Sequence, residues 1–322
     1  MSMSVSTEAI VIESPEQLSL RELELKPPQA DDVVVEVIAS GVSTGTERLL
    51  WSGRMPAFPG MGYPLVPGYE AVGRIVDAGS NQKARIGEIA FAPGANCYEG
   101  ARGLFGAAAR RLVAPAARVA KMPDAIAERE VDQGALMALA ATARHALARG
   151  DELQFPDLIV GHGVLGRLIA RVAMAEGGPA PVVWEKNPAR RSGAIDYDVI
   201  APEADERRDY RAIFDASGDS RLLDTLIFAL AKGGEVVLAG FYDKPLSFAF
   251  PPAFMKEARL RVAAEWAPPD LEAVIDAVEA GRLSLDGLIT HRAPVADAGA
   301  AYRTAFEDPS CLKMILDWSG RA

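Results

Sequence analysis

The first part of the chain carries short apolar runs separated by turn-forming residues. The runs lie at residues 9–12, 33–38, 71–76 and 88–91, and most of them are rich in β-branched residues. Runs of this kind predict strands. A loop dense in glycine and proline at residues 56–68 precedes the third run, and such loops line clefts or form turn systems. We therefore predict a β-rich domain over residues 1–125.

From residue 126 onward the pattern changes to alternating helix and strand. Residues 132–148 are alanine-rich with apolar residues at helical spacing, which predicts a helix. After this helix in the chain, apolar runs alternate with helical segments. The runs lie at residues 157–160, 181–184, 197–200, 212–215 and 234–239, and the helical segments lie at 165–175 and 221–231. This alternation predicts a doubly wound parallel sheet over residues 126–267, so the fold class is α/β. A helix at 270–280 and short closing segments to residue 322 return to the first domain.

Composition narrows the class of protein. The length of 322 residues suits two domains, and 49% hydrophobic residues can build ordinary cores. A net charge of −10 gives no electrostatic support to nucleic-acid binding. No apolar run has the length of a spanning helix, and residues 1–14 lack the features of a secretory signal.

The two cysteines, Cys97 and Cys311, stand outside any metal-binding spacing. Lone thiols are typical of a reducing compartment, so we expect a cytoplasmic protein. Attachment to a membrane surface stays open, because a lipophilic substrate could draw the protein there.

A glycine-rich loop points to a dinucleotide. It reads Gly161-His162-Gly163-Val164-Leu165-Gly166, directly follows a predicted strand and opens a predicted helix. This is the context in which GxGxxG binds a pyrophosphate. The first glycine permits the tight turn, the second lets the backbone approach the phosphates, and the third lets helix and strand pack closely. The helix N-terminus adds free N–H groups, and His162 is expected to form the turn or lie beside the pyrophosphate.

An acidic residue at the end of the next strand favours NAD over NADP. Glu185 follows Gly166 by nineteen positions, where a carboxylate accepts hydrogen bonds from the ribose hydroxyls and repels a 2′-phosphate. Lys186, Arg190 and Arg191 act against this preference, because nearby cations could receive that phosphate. A Rossmann-like domain without a cofactor is the other interpretation.

The order of β-rich domain, Rossmann domain and return segment resembles the medium-chain dehydrogenases. Residues 41–47, Gly-Val-Ser-Thr-Gly-Thr-Glu, resemble the loop around the first zinc ligand of that family, a cysteine. Residues 67–73, Pro-Gly-Tyr-Glu-Ala-Val-Gly, resemble its Gly-His-Glu segment, which holds the second ligand. The resemblance implies a GroES-like catalytic domain joined to a Rossmann NAD-binding domain.

All three zinc-ligand positions carry other residues here. The cysteine position is Ser43 or Thr44, depending on which residues anchor the comparison, and the histidine position is Tyr69. The third ligand should lie just before Thr142, where residues 136–140 are apolar, and a four-cysteine zinc lobe is absent. Hydroxyls are poor zinc ligands, so we expect no zinc site.

Without a metal, hydrogen-bond donors or a base must handle the charge that develops on the alcohol oxygen. In zinc members the residue matching Thr46 begins a proton relay, and Tyr69 should face the cleft because it replaces a ligand. His145, on the predicted helix near Thr142, is either catalytic or structural, and His291 is expected to be structural. The candidate catalytic residues are Ser43, Thr44, Thr46, Tyr69, Glu70 and His145.

Longer strings narrow the resemblance to the zinc-free bacteriochlorophyllide dehydrogenases of bacteriochlorophyll synthesis. These strings lie at residues 58–70, 140–146, 239–242, 254–261 and 311–318 and are spread over nearly the whole chain. The resemblance implies that a 3-(1-hydroxyethyl) group on a magnesium chlorin is oxidised to acetyl while NAD accepts the hydride. The magnesium would belong to the substrate. The expected cofactor site also includes Lys186, together with Thr142 and Gly240 from two of these strings.

A chlorin needs a wide apolar cleft with aromatic walls. We expect large apolar residues around such a cleft, although each is also a candidate for ordinary core: Trp51, Phe58, Met61, Tyr63, Phe105, Phe241, Phe250, Phe254 and Trp266. Two other functions stay open, a zinc-free NAD(P)H-dependent reductase of activated double bonds or quinones and an inactive NAD-binding scaffold. Homo-oligomerisation is expected only by analogy with the family.

Overall fold

The computed structural model describes residues 5–57 and 59–320. Its strands are β1 (Val5–Ser14), β2 (Gln17–Leu25), β3 (Asp32–Val42), β4 (Ala71–Ala78), β5 (Ile89–Ala92), β6 (Arg111–Pro115), β7 (Ala120–Lys121), β8 (Ala148–Arg149), β9 (Glu152–Leu153), β10 (Leu158–Val160), β11 (Val182–Trp184), β12 (Asp198–Ile200), β13 (Tyr210–Asp215), β14 (Leu230–Leu238), β15 (Arg259–Val262), β16 (His291–Pro294) and β17 (Met314–Asp317).

The α-helices are α1 (Thr46–Trp51), α2 (Asp124–Arg129), α3 (Met137–Leu147), α4 (Val164–Ala175), α5 (Leu223–Ala229), α6 (Phe250–Lys256), α7 (Pro268–Glu279) and α8 (Ala298–Glu307). Short 3-10 helices lie at Lys83–Arg85, Ala116–Arg118, Val131–Leu136, Pro188–Arg190, Pro202–Ala204 and Val295–Asp297. No helix of the described residues is both long enough and apolar enough to cross a membrane.

The chain divides into two compact units. The first comprises Met1–Ala138 and Leu288–Ala322, and the second comprises Leu139–Gly287. Both boundaries lie further along the chain than the predicted positions, 126 and 267. The 3-10 helix Val131–Leu136 packs on β3 and β4 of the first unit, whereas Asp270 of α7 is bound by Arg144 of the second. Tertiary contacts therefore set the boundaries, although the change in sequence pattern comes earlier.

The first unit is built on a largely antiparallel sheet. Its strand order is β16-β17-β3-β4-β5-β7, with β6 also paired to β3, and β1 and β2 form a separate hairpin. Strand β3 is central and mostly buried, which explains its nearly continuous run of valines. Strand β17 from the end of the chain pairs with β3, so the return segment completes this sheet as predicted.

The second unit is a six-stranded parallel sheet in the order β12-β11-β10-β13-β14-β15. This is the predicted doubly wound arrangement, and its strand order reverses between β10 and β13. Ligands of such sheets bind beyond the carboxyl ends of the strands at that reversal. The glycine loop leaves β10 at this point.

The helix predicted over residues 132–148 is interrupted. Residues Val131–Leu136 form a 3-10 helix and α3 begins at Met137, because Ala135 has a ψ of 16°, outside the helical range. A Cβ at Gly134 would lie 2.7 Å from Cγ2 of Val72. The glycine therefore lets this turn press against β4, and packing on the sheet overrides the local helical pattern.

Candidate functional site

A cluster of hydroxyl groups forms at the positions that the sequence resemblance matched to zinc ligands. Ser43 directly follows β3 and Tyr69 lies just before β4, so the pairing of these two strands brings them together. The Tyr69 hydroxyl donates to Oγ of Ser43 at 2.5 Å, and Thr46 also hydrogen-bonds Tyr69. Three of the predicted catalytic residues thus form one group, and Thr44 is half-buried next to Ser43 in the chain.

Tyr69 keeps its proton. Burial raises the pKa of its hydroxyl well above 10, and the carboxylates of Glu70 and Glu47 raise it further. Phe105 packs edge-on against its ring, with centroids 5.6 Å apart. Tyr69 is therefore a hydrogen-bond donor and cannot act as a phenolate base.

Glu47 belongs to the same cluster, although the sequence analysis used it only as part of the loop pattern. It is fully buried, and one carboxyl oxygen accepts the backbone N–H of Ser43 at 3.0 Å. The hydroxyl of Tyr302 from α8 donates to the other oxygen at 3.3 Å. Burial raises the pKa of Glu47 to about 7, although the Ser43 N–H and Lys313 act to lower it. This carboxyl therefore changes its protonation near neutral pH.

Glu70 forms a buried ion pair with Lys313. This partner was not predicted from the sequence. Both side chains are about 1% exposed, and the ammonium bonds directly to the Glu70 carboxylate. The lysine passes Gly41, where a Cβ would lie 2.5 Å from its Cε. One feature of the sequence could have indicated this pair. Lys313 lies inside the apolar run at residues 312–316, and a buried charge needs a partner.

The donor set at these positions does not fit a zinc ion. Tyr69 and Ser43 bond to each other, and the Glu70 carboxylate is engaged by an ammonium. Zinc prefers thiolate, imidazole and carboxylate ligands, whereas the exchanged positions offer neutral hydroxyls. Within residues 5–57 and 59–320, no group of three His, Cys, Asp or Glu side chains is placed to hold a metal ion.

His145 has a structural partner in the second unit. Its Nδ1 lies 2.8 Å from Oδ2 of Asp270, and Arg144 donates to the other oxygen of that carboxylate at 2.9 Å. Asp270 also accepts the backbone N–H of Ala267 at the start of α7. These bonds fasten α3 to α7, which is sufficient to explain the histidine without a catalytic role.

The glycine loop has the geometry expected of a dinucleotide site. Gly161 has a φ of +96°, the left-handed conformation that favours glycine in a tight turn. A Cβ at Gly166 would lie 1.9 Å from the carbonyl oxygen of Gly161, whereas a Cβ at Gly163 would meet nothing within 4 Å. Gly163 is also the N-cap of α4, so the free N–H groups of that helix begin here.

The remaining predicted cofactor residues are placed as follows. Val164 is buried in the first turn of α4, Thr142 and Leu165 are half-buried, and Lys186 is exposed. Gly240 follows β14, where a Cβ would lie 2.9 Å from the backbone nitrogen of Gly218. This close approach joins the ends of β13 and β14 beside the glycine loop.

Glu185 directly follows β11, and its carboxylate is fixed by backbone groups. One oxygen accepts the N–H of His162 at 2.9 Å and the other accepts the N–H of Asn187 at 2.8 Å. It is 7% exposed. The turn, the open face at Gly163 and this oriented carboxylate fit the phosphates and ribose of a dinucleotide.

The His162 ring is buried on the side of the glycine loop that faces residues 190–197. The side chain is fully buried, with Nδ1 2.6 Å from the carbonyl oxygen of Arg190 and Nε2 2.8 Å from the hydroxyl of Tyr197. Burial lowers the pKa of the imidazole to about 4. A carbonyl can only accept, so the neutral ring donates from Nδ1 and accepts from Tyr197 at Nε2.

The predicted aromatic residues divide between core and surface. Trp51 packs against Tyr302 and Phe306 in the core of the first unit, and Met61, Tyr63 and Phe105 pack around Ile12, Leu50 and Leu65. Phe241, Phe250 and Phe254 of the second unit are exposed, and Trp266 is half-buried. Phe58 lies outside the described residues.

Comparisons with known proteins identify the class. Residues 29–124 match the family of the alcohol dehydrogenase GroES-like domain. L-idonate 5-dehydrogenase from Escherichia coli superposes with a TM-score of 0.83 at 18% identity over 98% of this chain and 99% of that chain. A short chain alcohol dehydrogenase from Escherichia coli CFT073, complexed with NADH, gives 0.80 at 23% identity over 97% and 99%. The protein has the fold of the medium-chain dehydrogenases, as the sequence predicted.

Two curated relatives are much closer. Both are 2-desacetyl-2-hydroxyethyl bacteriochlorophyllide A dehydrogenases. The Rhodobacter capsulatus protein is 58% identical over 98% of this chain and 99% of its own length. The Cereibacter sphaeroides protein is 56% identical over 98% and 99%. The chain belongs to this family of dehydrogenases, which confirms the resemblance found in the sequence.

Proposed function

We propose that this protein oxidises the hydroxyethyl side chain of a bacteriochlorophyllide to an acetyl group with NAD as the hydride acceptor. The observation that carries this proposal is the 58% identity to a bacteriochlorophyllide dehydrogenase over 98% of the chain. The hydroxyl cluster supports it, because an alcohol oxygen that loses its proton needs such groups nearby. The comparisons lend no support to a double-bond reductase or an inactive scaffold.

The two units supply different parts of this chemistry. We assign the binding of NAD to the second unit, through Gly161, Gly163, the N-terminus of α4 and Glu185. When bound, the nicotinamide accepts the hydride that leaves the carbinol carbon. Glu185 supports NAD over NADP, because its fixed carboxylate can accept ribose hydroxyls and would repel a 2′-phosphate. The magnesium of the chlorin belongs to the substrate.

The first unit handles the proton of the alcohol. We place the carbinol oxygen beside Oη of Tyr69. The Oη atom accepts the alcohol's proton as Tyr69 passes its own proton to Oγ of Ser43 along the existing hydrogen bond, while the Ser43 hydroxyl releases its proton to solvent. Thr46 hydrogen-bonds the same phenol and keeps it in place. The relay avoids a free phenolate, which burial beside two carboxylates disfavours.

Two further features support proposals for the cellular location and the oligomeric state of the protein. Cys97 and Cys311 do not form a disulfide, which supports a reducing compartment such as the cytoplasm. Strand β15 ends the sheet of the second unit and exposes Leu260 and Val262, so a second copy of the chain could pair along it. Light scattering tests this, because a monomer at all concentrations would contradict a homo-oligomer.

The function is tested by mixing the purified protein with NAD and a 3-(1-hydroxyethyl) chlorin that carries magnesium. We expect NADH to form while the chlorin absorption shifts to the red, because the acetyl group joins the conjugated system. Metal analysis of the active protein should find no stoichiometric zinc. Clear NADH binding without turnover would favour the scaffold, and an essential bound zinc would overturn the relay.

A further inference from the structure

The loop that follows Glu185 carries the cations able to oppose NAD selectivity. This loop, residues 186–197 between β11 and β12, contains Lys186, Arg190 and Arg191. An arginine free to turn toward the ribose would bind the 2′-phosphate of NADP. The conformation of the loop therefore decides whether Glu185 alone contacts the ribose or whether one of these cations can also reach a 2′-phosphate.

A buried arginine from α4 holds the loop. Arg167 is 4% exposed, and its guanidinium donates to the carbonyl oxygens of Ser192 at 2.7 Å, Gly193 at 2.9 Å and Arg190 at 3.1 Å. Its Nε donates to the carbonyl oxygen of His162 at 3.1 Å. One side chain thus joins the glycine loop to three successive parts of the cation-bearing loop.

The His162 ring makes a second connection. It bonds to the carbonyl of Arg190 and to the hydroxyl of Tyr197, while its backbone N–H orients Glu185. Arg171, one turn further along α4, also bonds Tyr197. The residue at a variable position of the glycine motif therefore fixes both the carboxylate and the loop behind it.

Held in this way, the loop keeps Arg191 bonded to the backbone. Its Nε donates to the carbonyl oxygen of Glu185 at 2.8 Å and one terminal nitrogen donates to that of Lys186 at 3.1 Å. Donors engaged with carbonyl groups of the loop are withdrawn from a phosphate.

We infer that His162 and Arg167 are positioning residues for cofactor selectivity, which hold the loop so that Glu185 meets the ribose and Arg191 stays on the backbone. This inference rests on the proposed use of NAD. If the two residues only stabilise the fold, their loss lowers the melting temperature and leaves the preference between NAD and NADP unchanged.

The test compares kcat/KM for NAD and NADP, with the chlorin alcohol as substrate, in Arg167→Met, Arg167→Lys and His162→Gln. We expect the NAD-to-NADP ratio to fall at least about tenfold in Arg167→Met, since three charge-assisted bonds from Arg167 position the loop. The change should come from a higher KM for NAD at unchanged kcat. Adding Arg191→Ala to Arg167→Met should remove any gain with NADP.

Arg282→Met is the matched control, because Arg282 also donates to a carbonyl of α4, that of Ala175, at 3.2 Å but does not hold the loop. Its ratio should equal that of the wild type. Direct titration with NADH and NADPH repeats the comparison without turnover. An unchanged ratio in all folded variants at Arg167 and His162 overturns the inference. A wild-type protein that prefers NADP instead contradicts the proposed cofactor, which is a separate result.

Discussion

Tyr69 and Ser43 lie within hydrogen-bond distance of each other, and the chemistry of this pair follows from burial. The phenol is held protonated by desolvation and by Glu70, and it points its proton at Ser43. The sequence was sufficient to predict Ser43, Thr46 and Tyr69, because they lie in short strings with a family counterpart. Glu47 ends the same string at residues 41–47 but was not singled out, and Lys313 could not be predicted, because the segment before β17 reaches Glu70 only through tertiary folding.

Replacing Tyr69 by phenylalanine tests the relay at its first atom. We expect Tyr69→Phe to lower kcat by about 100-fold, the usual loss when one hydrogen-bonding group at a reacting oxygen is removed. NADH affinity should stay within twofold, since the glycine loop is unchanged, and steady-state kinetics with an NADH titration measures both. Ser43→Ala should act in the same direction. Equal losses in turnover and NADH binding would show a structural role.

Glu47 predicts a pH dependence of stability. Its pKa rises from 4.5 in the unfolded chain to about 7 in the folded protein, so the folded state binds more protons in this window. Stability contributed by this group is therefore present below pH 4.5 and lost as pH rises toward 7, by roughly 3 kcal/mol.

Glu47→Gln removes this titration while keeping an oxygen for the Ser43 N–H. The difference in free energy of unfolding between variant and wild type should grow in favour of the variant from pH 4.5 to 7. Denaturant titrations at both pH values measure it. Parallel pH profiles for the two proteins would rule out the raised pKa.

The ion pair of Lys313 and Glu70 predicts a strongly non-additive pair of substitutions. Lys313→Met should destabilise the protein by about 3–5 kcal/mol, because it removes the ammonium that balances the charge of a buried carboxylate. Adding Glu70→Gln should recover most of this loss, since the pair is then neutral on both sides. Thermal unfolding of the wild type, the two single variants and the double variant measures the coupling, and additive losses would contradict a direct buried pair.

At the scale of elements, the sequence pattern predicts the presence of strands and helices better than it predicts the residues at which they begin and end. Strands β10 to β14 of the second unit lie where their apolar runs predict them, whereas the exposed edge strand β15 was not predicted. The helix expected over residues 132–148 begins only at Met137, since Gly134 lets the preceding turn pack against Val72. His162 shows the same limit, because nothing in the motif indicates which way its variable side chain turns.

The glycine loop permits a matched pair of substitutions. Gly166→Ala puts a Cβ 1.9 Å from a backbone oxygen, so we expect a marked fall in melting temperature. Gly163→Ala puts a Cβ into open space and should leave the melting temperature within a few degrees of the wild type. It should nevertheless weaken NADH binding about tenfold if the pyrophosphate approaches this atom. Normal NADH affinity in folded Gly163→Ala would place the phosphates elsewhere.

For the whole molecule, we propose that the second unit binds the cofactor and that hydroxyl groups of the first unit take up the proton of the alcohol. The fold and the family were predictable because the resemblance runs through nearly the whole chain. The substrate was not accessible from the aromatic residues, since Trp51 is part of the core while Phe250 and Phe254 are exposed. The identity of the substrate therefore depends on the relatives and requires a chemical test.

The most direct test uses a 3-(1-hydroxyethyl) chlorin deuterated at the carbinol carbon, incubated with the purified protein and NAD. The account predicts that acetyl product and reduced cofactor form in equal amounts and that the deuterium is found in the dihydronicotinamide ring. Reduced cofactor without deuterium, or acetyl product formed without NAD, would contradict hydride transfer from the hydroxyethyl group to NAD.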